Sequence, residues 1–168
     1  KHKIHLEVNN LRNKYDWNIN SGIMFNHESE FRNNEYLIMK IIKTAILISE
    51  KKEDSLQIGS VDIIRDWSYA GDTADAIFKI NNINNSEDYV IGSGKGNKIE
   101  VILDIVFEYF NLDWKDFIII DNSLLRKGDP KSIVSNPIKI YEDTGWKAHT
   151  SLEQIIKRCI NFRTNNYS

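Results

Sequence analysis

The chain has 168 residues, of which 22 are basic and 24 acidic, and this near-neutral balance excludes a chain-wide basic field for nucleic acid. Its hydrophobic fraction of 41% excludes a disordered chain, and its longest apolar stretch, residues 36–48, contains two lysines and is too short for a membrane helix. The single cysteine excludes an intramolecular disulfide and predicts a reducing, cytoplasmic compartment.

The first half of the chain predicts helices that alternate with short strands. A helix is predicted where apolar residues recur at helical spacing, or where a long segment contains neither Gly nor Pro. A strand is predicted where a short run of residues is apolar and β-branched. In chain order the predicted elements are a helix at 2–16, a strand at 19–25, a polar loop at 26–34, a helix at 35–50, a strand at 56–61, a helix at 72–80 and a strand at 88–91.

The second half carries a cap signal at each predicted helix start. These signals are Asn97 with Glu100, Asn136-Pro137, and Thr150 with Glu153. Gly145 closes the second of these helices, and a strand is predicted at 117–120. Alternating strands and helices predict an α/β fold. No Gly-rich phosphate turn follows an early strand, so we expect this chain to lack the first half of a doubly wound sheet.

Three chemically suggestive features favour structural interpretations. The run Gly92-Ser93-Gly94-Lys95-Gly96 precedes a helix, but Asn97 replaces the third Gly of a dinucleotide fingerprint and a Gly follows Lys95 where a Walker loop needs Ser or Thr. A plain turn is favoured over a phosphate site. The four histidines lack metal-ligand spacing, so no metal is predicted. Cys159 lies on the apolar stripe of the last helix and is predicted to be buried.

Two segments indicate a ligand site. Residues 22–29 run from a strand into short polar side chains, where ligands bind in α/β sheets, although a capped turn is the alternative. Arg65 follows an apolar strand among aromatic residues and could clamp a phosphate. The alternative for Arg65 is a structural ion pair with Asp66 or Asp72.

Together these segments resemble the GDP-mannose 4,6-dehydratases, NAD(P)-dependent members of the extended short-chain dehydrogenase/reductases. Residues 22–29, GIMFNHES, are similar to the family's GILFNHES, and residues 65–72, RDWSYAGD, to its RDWGHAKD. Residues 88–91 and 126–147 continue the similarity in the same order. The resemblance covers nearly the whole chain and implies the C-terminal half of such an enzyme.

The resemblance also implies a domain division. Residues 1–30 correspond to the end of the Rossmann-like cofactor-binding domain, and 164–168 to a tail. Residues 31–163 correspond mainly to the nucleotide-sugar-binding region, with some segments that return to the Rossmann sheet. The lysine of the family's Tyr-x-x-x-Lys pair falls on Lys1, so we expect a piece of a longer protein. The full-length enzyme is expected to be a homo-oligomer.

Site residues follow from the same resemblance. Lys1 is implied as the catalytic lysine, which binds the nicotinamide ribose and lowers the pKa of the tyrosine. His27 and Arg32 are implied as further contacts to NADP or NAD. Asn26 is implied to hold the sugar, Leu37 and Lys40 the guanine, Arg65 and Arg126 the diphosphate, and Asp129 the ribose.

The implied reaction converts GDP-mannose to GDP-4-keto-6-deoxymannose by an internal redox reaction. A hydride moves from the sugar C4 to NADP, water leaves across C5 and C6, and the hydride returns to C6. This half is expected to hold the nucleotide sugar and to be inactive alone. Departures from the family pattern at 29–35 and 126–130 leave alternatives open. They are another nucleotide-sugar epimerase, reductase or dehydratase, a non-catalytic nucleotide-binding module, or a structural domain.

Overall fold

The structure is a computed structural model that describes residues 2–15 and 17–166. Its fold is α/β, as predicted. In chain order the helices and strands are α1 His2–Tyr15, β1 Ser21–Met24, β2 Asn26–Glu28, α2 Leu37–Ser49, β3 Leu56–Ile58, β4 Ile64–Tyr69, α3 Ala70–Asn81, β5 Asp88–Ile91, β6 Gly96–Lys98, α4 Ile99–Tyr109, β7 Ile118–Ile120, β8 Ser132–Ile133, α5 Ile138–Thr144 and α6 Leu152–Asn166.

The strands form small sheets in which most pairs are parallel. β1 pairs with β5, and β3 pairs with β7, both in parallel. β4 is shared, because it pairs in parallel with β2 and β8 and antiparallel with β6. The β2–β4 register places Asn26 beside Trp67 and Glu28 beside Tyr69. The two segments that carry the family resemblance are therefore adjacent strands.

Three helices bury their apolar stripes in the larger of two hydrophobic clusters. α2, α4 and α6 contribute side chains with no exposed surface, among them Ile42, Ile102 and Ile156. Burying one such side chain stabilises the fold by roughly 1.5–3 kcal/mol. Cys159 is fully buried in the same cluster, as predicted. The three helices thereby pack into one layer, which positions the start of α2.

A smaller cluster joins β5 to α3 and α5. Its largest members are Tyr89 and Trp146, and the Trp146 indole donates a hydrogen bond to the Asp72 carbonyl. α5 ends at Gly145, whose φ of 68° lies in the left-handed region that favours glycine. The predicted role of Gly145 is confirmed.

Two of the predicted helix caps are wrong. Asn97 lies in β6, whose pairing with β4 delays the start of α4 to Ile99. The capping box of α6 is Ser151 with Gln154, since the Ser151 hydroxyl accepts from the Gln154 amide at 3.2 Å and the Gln154 side chain accepts from the Ser151 amide at 2.9 Å. Thr150, one residue earlier, donates instead to Asp72. Tertiary pairing decided both outcomes.

Two loop boundaries also differ from prediction. The polar loop expected at 26–34 begins later, because Asn26–Glu28 pairs with β4 and forms β2. Arg65 lies within β4, whereas the sequence placed it after a strand. Both differences come from pairing with a partner far along the chain. Within 2–15 and 17–166, no helix combines the length and apolar composition that crossing a bilayer requires.

Candidate functional site

A cavity of about 540 Å³ opens over the β2–β4 pair, and we call it the α2 cavity because the start of α2 forms one wall. Side chains alternate along a strand, so residues two apart share a face. Asn26 and Glu28 of β2 and Arg65 and Trp67 of β4 line the cavity from the same face of the pair. The floor therefore follows from strand register.

The six residues predicted to contact the substrate all line the α2 cavity. They come from β2, from α2, from β4 and from the loop after β7, and some are separated by 100 residues along the chain. They are Asn26, Leu37, Lys40, Arg65, Arg126 and Asp129. Their individual roles stay predictions, but the fold places them around one space.

Arg65 is the most buried of the cavity's cations. Its side chain is 12% exposed, and its guanidinium pairs with Asp129 at 2.7 Å and donates to the Ile64 carbonyl at 2.7 Å. Neither Asp66 nor Asp72, the two alternative partners suggested by the sequence, forms this pair. A guanidinium carries five N–H donors, so Arg65 keeps donors for an anion in the cavity.

Lys40 borders the same cavity from the first turns of α2. Its ammonium donates to the Gln57 carbonyl at 3.3 Å and remains exposed. The other two N–H donors are open to a ligand. This contact explains why a lysine is compatible with a helix whose other face is entirely apolar.

Asp66 points to the opposite face of β4 and is fully buried. Its carboxylate accepts from the amides of Ser93, Gly94 and Ser135 and from the Ser93 and Ser135 hydroxyls. These bonds hold the Gly-rich turn that follows β5. The amides that would cradle a phosphate there are already engaged, so the plain-turn interpretation fits the structure.

A second cavity, of about 640 Å³, lies between α1 and β1, and we call it the α1 cavity. His27 and the exposed Ile23 of β1 are among the residues that line it. Asn26 and Arg32 border both cavities. Predicted cofactor contacts and predicted substrate contacts therefore meet at these two side chains. Lys1, the predicted catalytic lysine, lies outside the described residues.

Arg32 is held at this junction by an aromatic ring. Its guanidinium carbon lies 3.5 Å from the centre of the Tyr36 ring, within cation–π range. Its Nε is buried without a hydrogen-bond partner. The nearest counter-charge is Glu28, with 3.7 Å between Nε and Oε2. An unpartnered buried donor is costly, and a bound anion or acceptor would relieve it.

Glu28 is a site residue that the sequence analysis did not single out. It is 5% exposed and lines the α2 cavity, and its Oε2 has no hydrogen-bond partner. Burial raises its pKa to about 7, against the opposing effect of Arg32. The sequence analysis missed this acid because residues 26–34 were predicted as a loop; once Asn26–Glu28 is a strand, alternation puts Asn26 and Glu28 on one face.

The site combines cations, one buried acid and apolar walls, a set that suits an elongated anionic ligand with hydroxyl groups. No group of three His, Cys, Asp or Glu side chains could hold a metal ion in the described ranges. Burial raises the pKa of the Cys159 thiol to about 12, which disfavours the thiolate that a nucleophile requires.

A family model described as GDP-mannose 4,6 dehydratase matches residues 1–159 of the chain. GDP-mannose 4,6 dehydratase 2 of Arabidopsis thaliana is 30% identical over 152 residues, which are 90% of this chain and 41% of that protein. The chain therefore spans less than half the length of this curated relative.

Two solved structures share the fold over about half of their own length. RMD from Pseudomonas aeruginosa, complexed with NADPH, superimposes with a TM-score of 0.83 at 16% identity. The match covers 96% of this chain and 52% of the RMD chain. UDP-glucose 4-epimerase from Thermotoga maritima, with UDP-glucose, gives a TM-score of 0.85 at 16% identity, with coverages of 100% and 53%. At this identity the two matches establish the fold alone.

Proposed function

Because the chain belongs to the GDP-mannose 4,6-dehydratase family, we propose that it forms the nucleotide-sugar-binding half of a GDP-mannose 4,6-dehydratase-like enzyme. The observation that carries this proposal is the convergence of six predicted substrate contacts on the α2 cavity. These contacts were predicted from motif positions, without any knowledge of which strands pair.

In this proposal the cations of the α2 cavity hold the diphosphate. Arg65 offers a planar pair of donors that matches two phosphate oxygens, and Arg126 adds a second positive charge from the loop after β7. The Arg65–Asp129 pair would rearrange when the ligand arrives, since Asp129 is partly exposed and free to accept from a ribose hydroxyl. Fixing the nucleotide brings the sugar within reach of the reacting groups.

The start of α2 would receive the nucleoside base. Leu37 is half-buried and supplies an apolar surface, and the exposed Lys40 ammonium supplies a hydrogen-bond donor. Asn26 would hold the sugar, because it borders both the α2 cavity and the α1 cavity. The sugar would therefore sit where substrate and cofactor meet.

NADP, or NAD, would occupy the α1 cavity. The unpartnered Nε of Arg32 and the position of His27 fit a group with anionic and hydrogen-bonding parts, and RMD, which shares the fold, is known with NADPH. When bound, the cofactor supplies the hydride chemistry of the internal redox reaction. His27, Arg32 and Lys1 would bind and orient it.

The full-length enzyme would convert GDP-mannose to GDP-4-keto-6-deoxymannose and would assemble as a homo-oligomer. Residues 1–30 would close the cofactor domain and residues 31–163 would mainly hold the nucleotide sugar. We expect the 168 residues alone to bind ligand without turnover, because the tyrosine and the Gly-rich cofactor loop of the family are not among them.

Calorimetric titration of the chain with GDP, UDP and GDP-mannose tests the proposal. We expect Arg65→Ala to weaken binding by about 1.5–3 kcal/mol, the size of a lost hydrogen bond to a charged group. Lys98→Ala is the matched control, because Lys98 is a cation of the adjacent strand β6 that pairs with Asp62 and does not line the cavity.

The titration also separates the alternatives. Tighter binding of UDP than of GDP would favour another nucleotide-sugar enzyme of the superfamily. A folded chain that binds neither nucleotide would overturn the proposed function. Equal affinities of the wild-type and Arg65→Ala chains would remove Arg65 from the site.

A further inference from the structure

Glu28 is a buried acid in the α2 cavity to which the proposed function gives no role. Its side chain is 6% exposed, and among the described residues its one ion-pair partner is Arg32, at 3.7 Å. That distance is too long for a hydrogen bond. A buried carboxylate normally accepts several hydrogen bonds, so Glu28 lacks the partners that would offset its desolvation.

Among the residues that the structure describes, the nearest charged donor to the Glu28 Oε2 is the Arg32 Nε at 3.7 Å, beyond hydrogen-bond distance, and both atoms lack a hydrogen-bond partner. The other buried acids of the described chain are satisfied within it: Asp66 accepts five hydrogen bonds, and Asp72 accepts from Thr150 and the His149 amide. Glu28 differs from them because it faces a cavity. Its missing donors would therefore come from what fills that cavity.

The register places Glu28 away from the phosphate-binding cation. Glu28 is aligned with Tyr69, and Arg65 lies four residues earlier on β4. At roughly 3.3 Å per residue, the two positions are about 13 Å apart along the strands. Arg65, which pairs with Asp129, and Glu28, which pairs with Arg32, thus lie toward opposite ends of the cavity floor.

The Glu28 end suits a neutral group that donates hydrogen bonds. The Glu28 Oε2 lacks a donor, which an ionised phosphate could not supply because its oxygens only accept. Sugar hydroxyls are neutral donors, and each can give one O–H to a carboxylate oxygen. Asn26, the residue at the junction of the two cavities, shares the strand face of Glu28.

We propose that Glu28 is a sugar-binding residue, which accepts hydrogen bonds from hydroxyl groups of the hexose while Arg65 holds the diphosphate. The assignment rests on the proposed function. If it is correct, Glu28 contributes to the binding affinity for a nucleotide sugar and not to the binding affinity for the nucleotide alone.

The test compares GDP with GDP-mannose in calorimetric titrations of the full 168-residue chain. We expect the wild-type chain to bind GDP-mannose more tightly than GDP. In Glu28→Gln the affinity for GDP-mannose should fall about tenfold, the loss expected for a charge-assisted hydrogen bond, while the affinity for GDP stays within about twofold. Glu35→Gln is the control, since Glu35 is an exposed acid that lines the same cavity.

Each outcome bears on one of the two proposals. An unchanged GDP-mannose to GDP ratio in Glu28→Gln, an equal loss for both ligands, or equal wild-type affinities would overturn the role of Glu28 and leave the nucleotide site standing. A wild-type chain that binds neither ligand overturns the proposed function as well. Should Glu28→Gln fail to fold by circular dichroism, Glu28→Asp provides the same comparison, because it keeps the charge and shortens the reach.

Discussion

Arg65 and Asp66 are neighbours on β4 and Glu28 lies on the adjacent strand β2, yet their environments give them three different tasks. Asp66 faces away from the cavity and is satisfied by backbone and hydroxyl donors. Arg65 faces the cavity and pairs with Asp129 at 2.7 Å. Glu28 faces the cavity, pairs with Arg32 at 3.7 Å and has an Oε2 without a hydrogen-bond partner. Because side chains alternate along a strand, Asp66 points away from the cavity that Arg65 and Glu28 face.

At the residue scale we predict that Glu28 makes stability depend on pH. Burial raises its pKa from near 4.5 to about 7, so between these values the folded chain holds a proton that the unfolded chain has released. The contribution of Glu28 to stability therefore falls as pH rises from 4.5 to 7 and stays low above 7. We expect the unfolding free energy of Glu28→Gln, relative to wild type, to increase by about 2–3 kcal/mol between pH 4.5 and pH 8.

Urea denaturation of both chains at several pH values measures this difference. Glu35→Gln, an exposed acid of the same cavity, should follow the wild-type profile. A Glu28→Gln difference that is constant across the pH range would contradict the raised pKa of the buried Glu28.

At the element scale, α6 illustrates how closely two cap registers can compete. Thr150 with Glu153 and Ser151 with Gln154 both satisfy the spacing of a capping box. The fold selects the second, because Asp72 at the start of α3 takes the amide and hydroxyl of Thr150. The same contacts join the smaller hydrophobic cluster to the segment that enters α6.

We predict that Ser151→Ala destabilises the fold by about 1 kcal/mol, the usual cost of losing an N-cap side chain. Gln154→Ala should cost less than Ser151→Ala but measurably more than Glu153→Ala. Glu153 forms an exposed pair with Lys157, and such pairs contribute little. Thermal unfolding of the three variants measures their relative stabilities. A larger loss of stability for Glu153→Ala than for Gln154→Ala would support the capping box of Thr150 with Glu153 that the sequence predicted.

At the scale of the whole molecule, α1 differs from the other long helices. None of its residues is buried, whereas α2 buries six. Arg12 attaches α1 to the β1–β5 pair, since its guanidinium bonds to the Ile19 and Glu87 carbonyls and pairs with Asp88 at 2.8 Å. The helix depends on these polar contacts and not on a hydrophobic core.

We predict that amide hydrogens of α1 exchange at least tenfold faster than those of α2, because local opening of α1 exposes little apolar surface. Arg12→Ala should accelerate exchange in α1 further and leave α2 unchanged. Lys14→Ala, which removes an exposed cation from the same helix, should have no such effect. Mass-spectrometric hydrogen exchange measures all three, and equal protection of α1 and α2 would contradict the prediction.

The sequence by itself determined which segments are helical, the α/β class and the family. The apolar stripes of α2 and α6 and the left-handed residue at Gly145 follow from local spacing and local backbone conformation. The segments GIMFNHES and RDWSYAGD were sufficient to predict substrate contacts by position, because a motif preserves the order of functional side chains along the chain.

Only the tertiary structure decided which side chains share a space. The β2–β4 register put Glu28 on the floor of the α2 cavity, and the pairing of β8 with β4 brought Asp129 to Arg65 across 64 positions of sequence. It also turned Asn97 from a cap into a strand residue and Thr150 into a partner of Asp72. These outcomes depend on contacts between distant segments, whose free energies outweigh the local preferences from which a sequence is interpreted.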